Sequence, residues 1–321
     1  MTLHPSCWAT FAILTCVGLP ASAQSIEITH VWEAEAPVPW LSGLASVGDE
    51  YWALDAFRAQ IERIARDGAW IGTVDLPGVG SPLLMGQGPG GVAIYDGDTR
   101  TIHVVAEGRP TARHEVPSTV FFPKDLLPLE DRVVLAGGLE GDSHALHILR
   151  RGAPPTHTLR YAEARQPLIS RMAAGGVLWS DGSEVLFAQA SPYLVGRLRV
   201  GERDDIGLDT IASYPGTLPF VGDALVRQDG GGSQVRWFFR QARGIVRLAD
   251  GTYLHVIRDR EADTSLWEIL APDGRVLASR EFDRAYDVWE VLEDGTLLAS
   301  WYVDGPEALP VRIRLRLTGG A

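Results

Sequence analysis

The chain has 321 residues, of which 45% are hydrophobic and 22% are charged. This composition supports a buried core and excludes a disordered chain. The 41 Asp and Glu residues outnumber the 29 Lys and Arg residues, which gives a net charge of −12. We expect no nucleic-acid partner, because a phosphate backbone favours a basic surface and the sequence contains no DNA- or RNA-binding motif.

The first 23 residues have the pattern of a secretory signal peptide. An apolar stretch from Trp8 to Val17 is followed by the small residues Ala21-Ser22-Ala23, which are typical of a cleavage site. The stretch is too short to cross a bilayer, and no other segment is apolar enough. The sequence therefore predicts a signal peptide at 1–23, a mature domain at 24–321, and a secreted or periplasmic protein without a transmembrane segment.

Two alternatives concern the same N-terminal segment. It carries no Lys or Arg before the apolar stretch, so it could instead be an N-terminal strand or an anchor. Lipidation at Cys16 is disfavoured because Thr15 is a poor residue at the preceding position. The other cysteine, Cys7, also lies in the predicted signal. The mature domain would then have no disulfide and no cysteine nucleophile or metal ligand.

Six pairs of turn signals follow along the rest of the chain. Asp-Gly and Gly-Gly dipeptides between apolar runs are typical of β-hairpins whose two central residues have φ > 0. The first signals of the pairs are Gly48-Asp49, Gly90-Gly91, Glu130-Asp131, Asp181-Gly182, Asp250-Gly251 and Asp294-Gly295. The second signals end at Gly68, Gly108, Gly152, Gly201, Gly274 and Gly319. Six double hairpins at steps of about 50 residues predict an all-β, six-bladed β-propeller with four-stranded antiparallel blades.

The blade positions also predict how the ring closes. The blades are expected at 38–76, 80–117, 121–161, 168–214, 237–283 and 285–318. The last blade supplies only three strands, and pairing Ile26–Trp32 with Val311–Leu317 would complete it and close the ring. An insertion at 215–236, rich in Gly and Pro, separates the fourth and fifth blades, and long loops on a rigid scaffold often carry function.

The first two blades carry a family resemblance. Blade one, DEYWALDAFRAQIERIARDG, resembles the NHL-type repeat in its apolar strand, its Asp, its short turn and its I-x-x-I run ending in Asp-Gly. Asp55 and Asp96 each precede an isoleucine, Ile61 and Ile102, by six residues. The mature chain as a whole resembles secreted bacterial six-bladed propellers with NHL-like or TolB-like repeats. The resemblance implies this fold and no particular activity.

Several candidate ligands have a structural interpretation that we favour. Asp55 and Asp96 are expected to bind the N–H groups of their own turns. Glu62, His103 and His147 occupy equivalent blade positions and are expected to form a solvent-facing row. No catalytic residue and no metal ligand is therefore assigned from the sequence.

Whether the protein is an enzyme stays open at this stage, with a binding role favoured. Some six-bladed propellers are metal-dependent lactonases that hold a divalent cation with Asn side chains and carboxylates. This chain has no Asn, although carboxylates and carbonyls alone can bind Ca²⁺. The sequence has no nucleophile-elbow or Walker motif either. Calcium is thus the one cofactor left open.

The remaining candidate site is the channel mouth, because the first strand of each propeller blade lines the axis. The residues expected there are Trp40, Lys124, Asp125, Arg171, Arg240, Arg243, Asp287 and Trp289. Guanidinium groups and indole rings would bind an anionic or sugar-like ligand, unless the charges simply pair with one another.

The sequence thus predicts a propeller scaffold that binds a small molecule or a protein at the channel mouth. The alternative is a divalent-metal-dependent hydrolase or lyase with carboxylate ligands at that mouth. A third hypothesis is a purely structural component of a surface assembly.

Overall fold

A computed structural model describes residues 24–319, except 75, 107, 117–119, 140–143, 161–175, 191–192, 202–205, 215–224, 228–232, 236–239 and 261. The described residues form 26 β-strands and no helix. The strands make six four-stranded antiparallel sheets and one two-stranded hairpin. The chain is a six-bladed β-propeller, as predicted. The predicted signal peptide at 1–23 lies outside the described residues.

The strands follow one another from the inner to the outer edge of each blade. The first strand, β1 (Ser25–Glu33), precedes blade 1, which contains β2 (Leu41–Val47), β3 (Glu50–Asp55), β4 (Gln60–Ala65) and β5 (Trp70–Val74). Blade 2 contains β6 (Pro82–Gly88), β7 (Gly91–Asp96), β8 (Thr101–Ala106) and β9 (Arg109–Glu115). Blade 3 contains β10 (Val120–Pro128), β11 (Arg132–Leu139), β12 (His144–Arg150) and β13 (Thr156–Arg160).

The second half of the chain repeats this order. Blade 4 contains β14 (Val177–Ser180), β15 (Val185–Ala190), β16 (Tyr193–Val200) and β17 (Ile206–Tyr214). The predicted insertion contains a hairpin of β18 (Leu225–Arg227) and β19 (Ser233–Val235). Blade 5 contains β20 (Arg240–Arg247), β21 (Tyr253–Asp259), β22 (Thr264–Leu270) and β23 (Val276–Phe282). Blade 6 contains β24 (Tyr286–Val291), β25 (Leu297–Asp304) and β26 (Glu307–Thr318).

Blade 6 is completed by the first strand, which confirms the predicted ring closure. β1 pairs antiparallel with β26, from Ser25 opposite Thr318 to Glu33 opposite Val311, with a bulge near His30. Ile26 is fully buried by this pairing. The pairing therefore joins both ends of the described chain in one sheet, with β1 as the outer strand of blade 6.

The Asp-Gly turns differ in one respect from the expected geometry. Gly251 has φ +83°, whereas Asp250 has no positive φ. The Gly251 N–H donates to the Leu248 carbonyl (2.9 Å), and the Asp250 carboxylate accepts the Thr252 N–H (3.0 Å). The expectation of two positive φ angles is wrong here, because the aspartate side chain stabilises a three-residue loop that needs only one left-handed residue. The same arrangement occurs at Asp67-Gly68, Asp273-Gly274 and Asp294-Gly295.

The NHL-type aspartates bind their own turns, as expected. Asp55 accepts the N–H groups of Phe57 (2.9 Å) and Arg58 (3.1 Å). Asp96 accepts four backbone N–H groups, two of them from residues 80 and 81 that lead into β6. These two fully buried carboxylates therefore stabilise the blade and are not available to a ligand.

The expected solvent-facing row of Glu62, His103 and His147 is wrong, since all three residues are buried. The His147 imidazole bonds the Gly137 carbonyl oxygen at 3.0 Å. Glu62 accepts a hydrogen bond from the indole N–H of Trp70 at 2.6 Å. The reason is the stacking of blades, because middle strands are covered on both faces and bury polar as well as apolar side chains.

Inner strands of neighbouring blades approach one another closely at several glycines, of which three illustrate the contact. A Cβ atom on Gly86 of β6 would lie 1.8 Å from the Leu126 carbonyl oxygen of β10. A Cβ on Gly43 would lie 2.5 Å from the Cβ of Met85, and one on Gly244 would lie 2.8 Å from the Cβ of Val288. The absence of a side chain at these positions therefore sets the width of the ring around its axis.

Candidate functional site

An axial cavity of 720 Å³ opens where the inner strands begin. All six inner strands, β2, β6, β10, β14, β20 and β24, contribute residues to its wall. Its volume lies within the range typical of small-molecule sites.

The cavity brings together six of the eight residues that the sequence placed at the channel mouth. Arg240 is the first residue of β20, and Arg171 lies outside the described residues. The six residues that line the cavity are Trp40, Lys124, Asp125, Arg243, Asp287 and Trp289.

β-Bulges explain why three of these side chains reach the cavity. Lys124, Arg243 and Trp289 are each the extra residue where the register shifts between an inner strand and its neighbour. A bulge leaves one residue unpaired and redirects its side chain. The local irregularity of β10, β20 and β24 therefore places two cations and an indole at one site.

Arg243 and Asp287 form the centre of the site. Arg243 Nε lies 3.9 Å from Asp287 Oδ1, too far for a hydrogen bond, and neither atom has a hydrogen-bond partner among the described residues. The other Asp287 oxygen accepts the Tyr302 hydroxyl at 3.0 Å, while Arg243 Nη2 donates to Gln241 at 2.8 Å. Burial and the neighbouring Asp287 raise the pKa of Tyr302 to about 12, so its hydroxyl remains a donor. The two unpartnered atoms are left for a polar group in the cavity.

The sequence did not reveal the cavity residues that lie on or just after the second strand of a blade, such as β21 of blade 5 and β25 of blade 6. The Arg258 guanidinium lies 3.5 Å from the ring centroid of Tyr302 and donates to Asp263 at 3.2 Å. Arg260 lies at the exposed rim, beside the tip of the β21–β22 hairpin. The available signal was the charged run at the end of β21, which antiparallel pairing places beside the start of β20.

Burial shifts the pKa values of the adjacent residues Lys124 and Asp125. Burial, followed by the positive charges of Arg243 and Arg260, lowers the pKa of Lys124 to about 8. Burial raises the pKa of Asp125 to about 7, although its oxygens accept the N–H groups of Leu126 (2.8 Å) and Leu178 (2.7 Å). Both groups therefore titrate near neutral pH, which is typical of functional sites.

The raised pKa of Asp125 predicts a pH-dependent stability. Its pKa is 3.8 in an unfolded chain and about 7 in the folded protein, so the unfolded state loses its proton first. The free energy of unfolding should fall between pH 4 and pH 7, by on the order of 4 kcal/mol from this group alone. We expect Asp125→Asn to flatten that fall in urea titrations. An equal slope in both proteins would contradict the assignment.

A hydrogen-bond network joins three blades at the inner end of the cavity. The Ser46 hydroxyl donates to Glu290 at 2.8 Å, and the Gln87 amide donates to the same oxygen at 3.1 Å. Burial raises the pKa of Glu290. β2, β6 and β24 are thereby held together below the ligand-accessible part of the axis.

The cavity wall is positively charged in an acidic protein. Among the described residues, it carries four basic side chains against three carboxylates, and one of these carboxylates, Asp125, titrates at about 7. The four are Lys124, Arg243, Arg258 and Arg260, and the three are Asp125, Asp263 and Asp287. Such a wall attracts small anions into the axis.

The described ranges contain no group of three His, Cys, Asp or Glu side chains placed to hold a metal ion. Within that same part of the chain, no helix has the length and apolar character needed to span a membrane.

Known proteins share the fold at very low sequence identity. A provisionally named exported protein of Bacteroides fragilis matches with a TM-score of 0.57 and 8% identity over 91% of this chain and 95% of its own. A gluconolactonase of Xanthomonas campestris matches with a TM-score of 0.52 and 12% identity over 92% and 97%. A streptogramin B lyase matches with a TM-score of 0.52 and 9% identity over 91% and 98%.

No family model and no curated protein sequence matches the chain. The structural neighbours include enzymes of two kinds, so the likeness establishes the propeller and leaves the activity to be argued from the cavity.

Proposed function

We propose that the protein is a secreted or periplasmic propeller that binds a small organic anion, such as a carboxylate or a sugar acid, in its axial cavity. The observation that carries the proposal is the excess of basic side chains around a 720 Å³ cavity in a chain of net charge −12. Arginines bind carboxylates with paired hydrogen bonds. The N-terminal sequence pattern at 1–23 supports the location outside the cytoplasm.

The mouth of the cavity supports a ligand with an apolar or sugar-ring face. Trp40 is 58% exposed although it lines the cavity. Its backbone is left-handed, with φ +51°, and is held there by hydrogen bonds to Pro306 and Ala56, both 3.2 Å long. A strained, exposed tryptophan at a cavity mouth is typical of a ligand contact.

A matched set of small molecules tests this proposal. Gluconate, citrate and sulfate should raise the melting temperature, whereas glucitol, which replaces the carboxylate of gluconate by an alcohol, should not. The anion that stabilises most is then titrated by calorimetry. Arg260→Gln, which removes a rim charge, should weaken its binding by about three- to tenfold.

A control variant removes one arginine charge at a surface position outside the cavity. Arg314 is exposed on β26, on the outer half of blade 6, and Arg314→Gln should leave the affinity unchanged. Equal stabilisation by gluconate and glucitol, or equal effects of the two variants, would contradict an anion site in the cavity.

Metal analysis of the purified protein distinguishes the binding function from the alternative enzymatic function. A stoichiometric divalent cation, together with calcium-dependent melting, would favour the metal-dependent hydrolase or lyase over the binding protein.

A further inference from the structure

We propose that Lys124 is a reactive amine that forms an imine with the carbonyl group of a small 2-oxo acid bound in the cavity. This inference rests on the proposed anion site and names the chemical class of its ligand. It would make the protein able to hold such a molecule covalently and reversibly.

The first argument is the position of the amine. Lys124 is the single lysine of the chain, and it lies at the bulge of β10, half-buried in the cavity wall. A surface lysine would serve for solubility, but the chain uses arginine for every other basic position of this kind. The one lysine amine of the chain therefore lies in the wall of the cavity in which a small molecule would bind.

The second argument is the charge around the amine. The positive groups Arg243 and Arg260 disfavour its protonated form, as does burial. With a pKa of about 8, roughly a quarter of the amine is unprotonated at pH 7.5, against about a thousandth for an ordinary lysine. Amines activated by burial and a neighbouring cation are the kind that attack carbonyl groups.

The third argument is the complementarity between a 2-oxo acid and the wall. Its carboxylate matches the guanidinium groups of Arg243 and Arg258, which line the same cavity. Its carbonyl carbon lies one bond from that carboxylate. Fixing the carboxylate on the arginines therefore keeps the reacting carbon within the same cavity as the amine.

The chemistry balances without a further reactant. The Lys124 Nζ lone pair attacks the carbonyl carbon, a C–N bond forms as the C=O π bond breaks, and one of the two nitrogen protons is transferred to the oxygen to give a carbinolamine. The hydroxyl group then leaves with a proton as water, and the nitrogen loses its remaining proton to give the neutral imine. Asp125, whose pKa is about 7, is a suitable carrier for the protons in this step.

Reductive trapping tests the proposal. Full-length protein is incubated with pyruvate and cyanoborohydride, which reduces an imine to a stable secondary amine. We expect the adduct on Lys124 to form at least tenfold faster than on free Nα-acetyl-lysine amide, with a rate that rises through pH 8. Because the chain has one lysine, peptide mass and the loss of tryptic cleavage after residue 124 identify the adduct.

The controls separate the two proposals. Lys124→Arg keeps the positive charge and should give no adduct, while the N-terminal amine reports background labelling. Lactate, which lacks the carbonyl, should compete with pyruvate. Lactate binding without an adduct would overturn the reactive amine and leave the anion site standing. Absence of both binding and adduct, or equal trapping of pyruvate and the neutral ketone acetone, would overturn the anion-directed chemistry.

Discussion

Replacing Gly86 by alanine should destabilise the propeller by about 3 kcal/mol or more. The new Cβ atom would lie 1.8 Å from the Leu126 carbonyl oxygen and 2.7 Å from the carbonyl carbon. Both are backbone atoms of the neighbouring inner strand, so no side-chain rotation relieves the clash. Blades 2 and 3 would have to move apart. Thermal unfolding should show a loss of about 6 °C or more in melting temperature.

A second glycine provides the matched control. A Cβ on Gly80 would meet only the carboxylate of Asp98, at 3.8 Å, which is an ordinary contact. Gly80→Ala keeps the N–H group that Asp96 binds and should melt within about 1–2 °C of the unmodified protein. If Gly86→Ala had the same melting temperature as this control, Gly86 would not be in contact with the Leu126 carbonyl group.

Replacing Arg243 by methionine should weaken anion binding by about 100-fold and destabilise the protein by about 3 kcal/mol. The substitution leaves the Asp287 carboxylate, which is only 2% exposed, with the Tyr302 hydroxyl as its one hydrogen-bond partner in the described part of the chain. It also removes a cation of the cavity wall whose Nε has no hydrogen-bond partner among the described residues. Urea unfolding and calorimetric titration with the best anion measure the two effects separately.

A double-mutant cycle tests the cause of the stability loss. Asp287→Asn keeps an acceptor for the Tyr302 hydroxyl and removes the negative charge that Arg243 faces. If the two charges stabilise one another across 3.9 Å, the double variant should lose about 1–3 kcal/mol less than the sum of the single variants. Additive losses would show that the pair is not coupled, while anion binding should be about 100-fold weaker in both variants that lack Arg243.

The fold was largely predictable because its signals are local. Many hairpins are marked by a Gly that has a positive φ in the structure, for example Gly182, Gly251 and Gly295. The last blade has only three strands of its own, which identified β1 as the strand that completes it. Whether a polar residue is exposed was not predictable from local signals. His147, for example, is buried by packing between blades, which depends on residues distant in sequence.

The cavity residues of the candidate site were predictable where they lie on inner strands, and they were not predictable where hairpin pairing brings them to the cavity. Five of the predicted side chains line the cavity because the first strand of a blade faces the axis, and Trp40 directly precedes such a strand. Arg258 and Tyr302 were missed because they belong to second strands, whose ends reach the cavity only through antiparallel pairing. The bulges that redirect Lys124 and Arg243 leave no mark in the sequence, since any residue can occupy them.

The pairing of β1 with β26 also dictates an order of folding. Blades 1 to 5 are each built from strands that follow one another directly, so each can form from local contacts. The eight residue pairs between β1 and β26 instead join residues 25–33 to residues 311–318, and contacts so distant in sequence form slowly. During synthesis the chain makes β1 first and its partner last. The first strand must therefore wait unpaired until the rest of the ring has been made, and its docking is the step that turns an open arc into a closed ring.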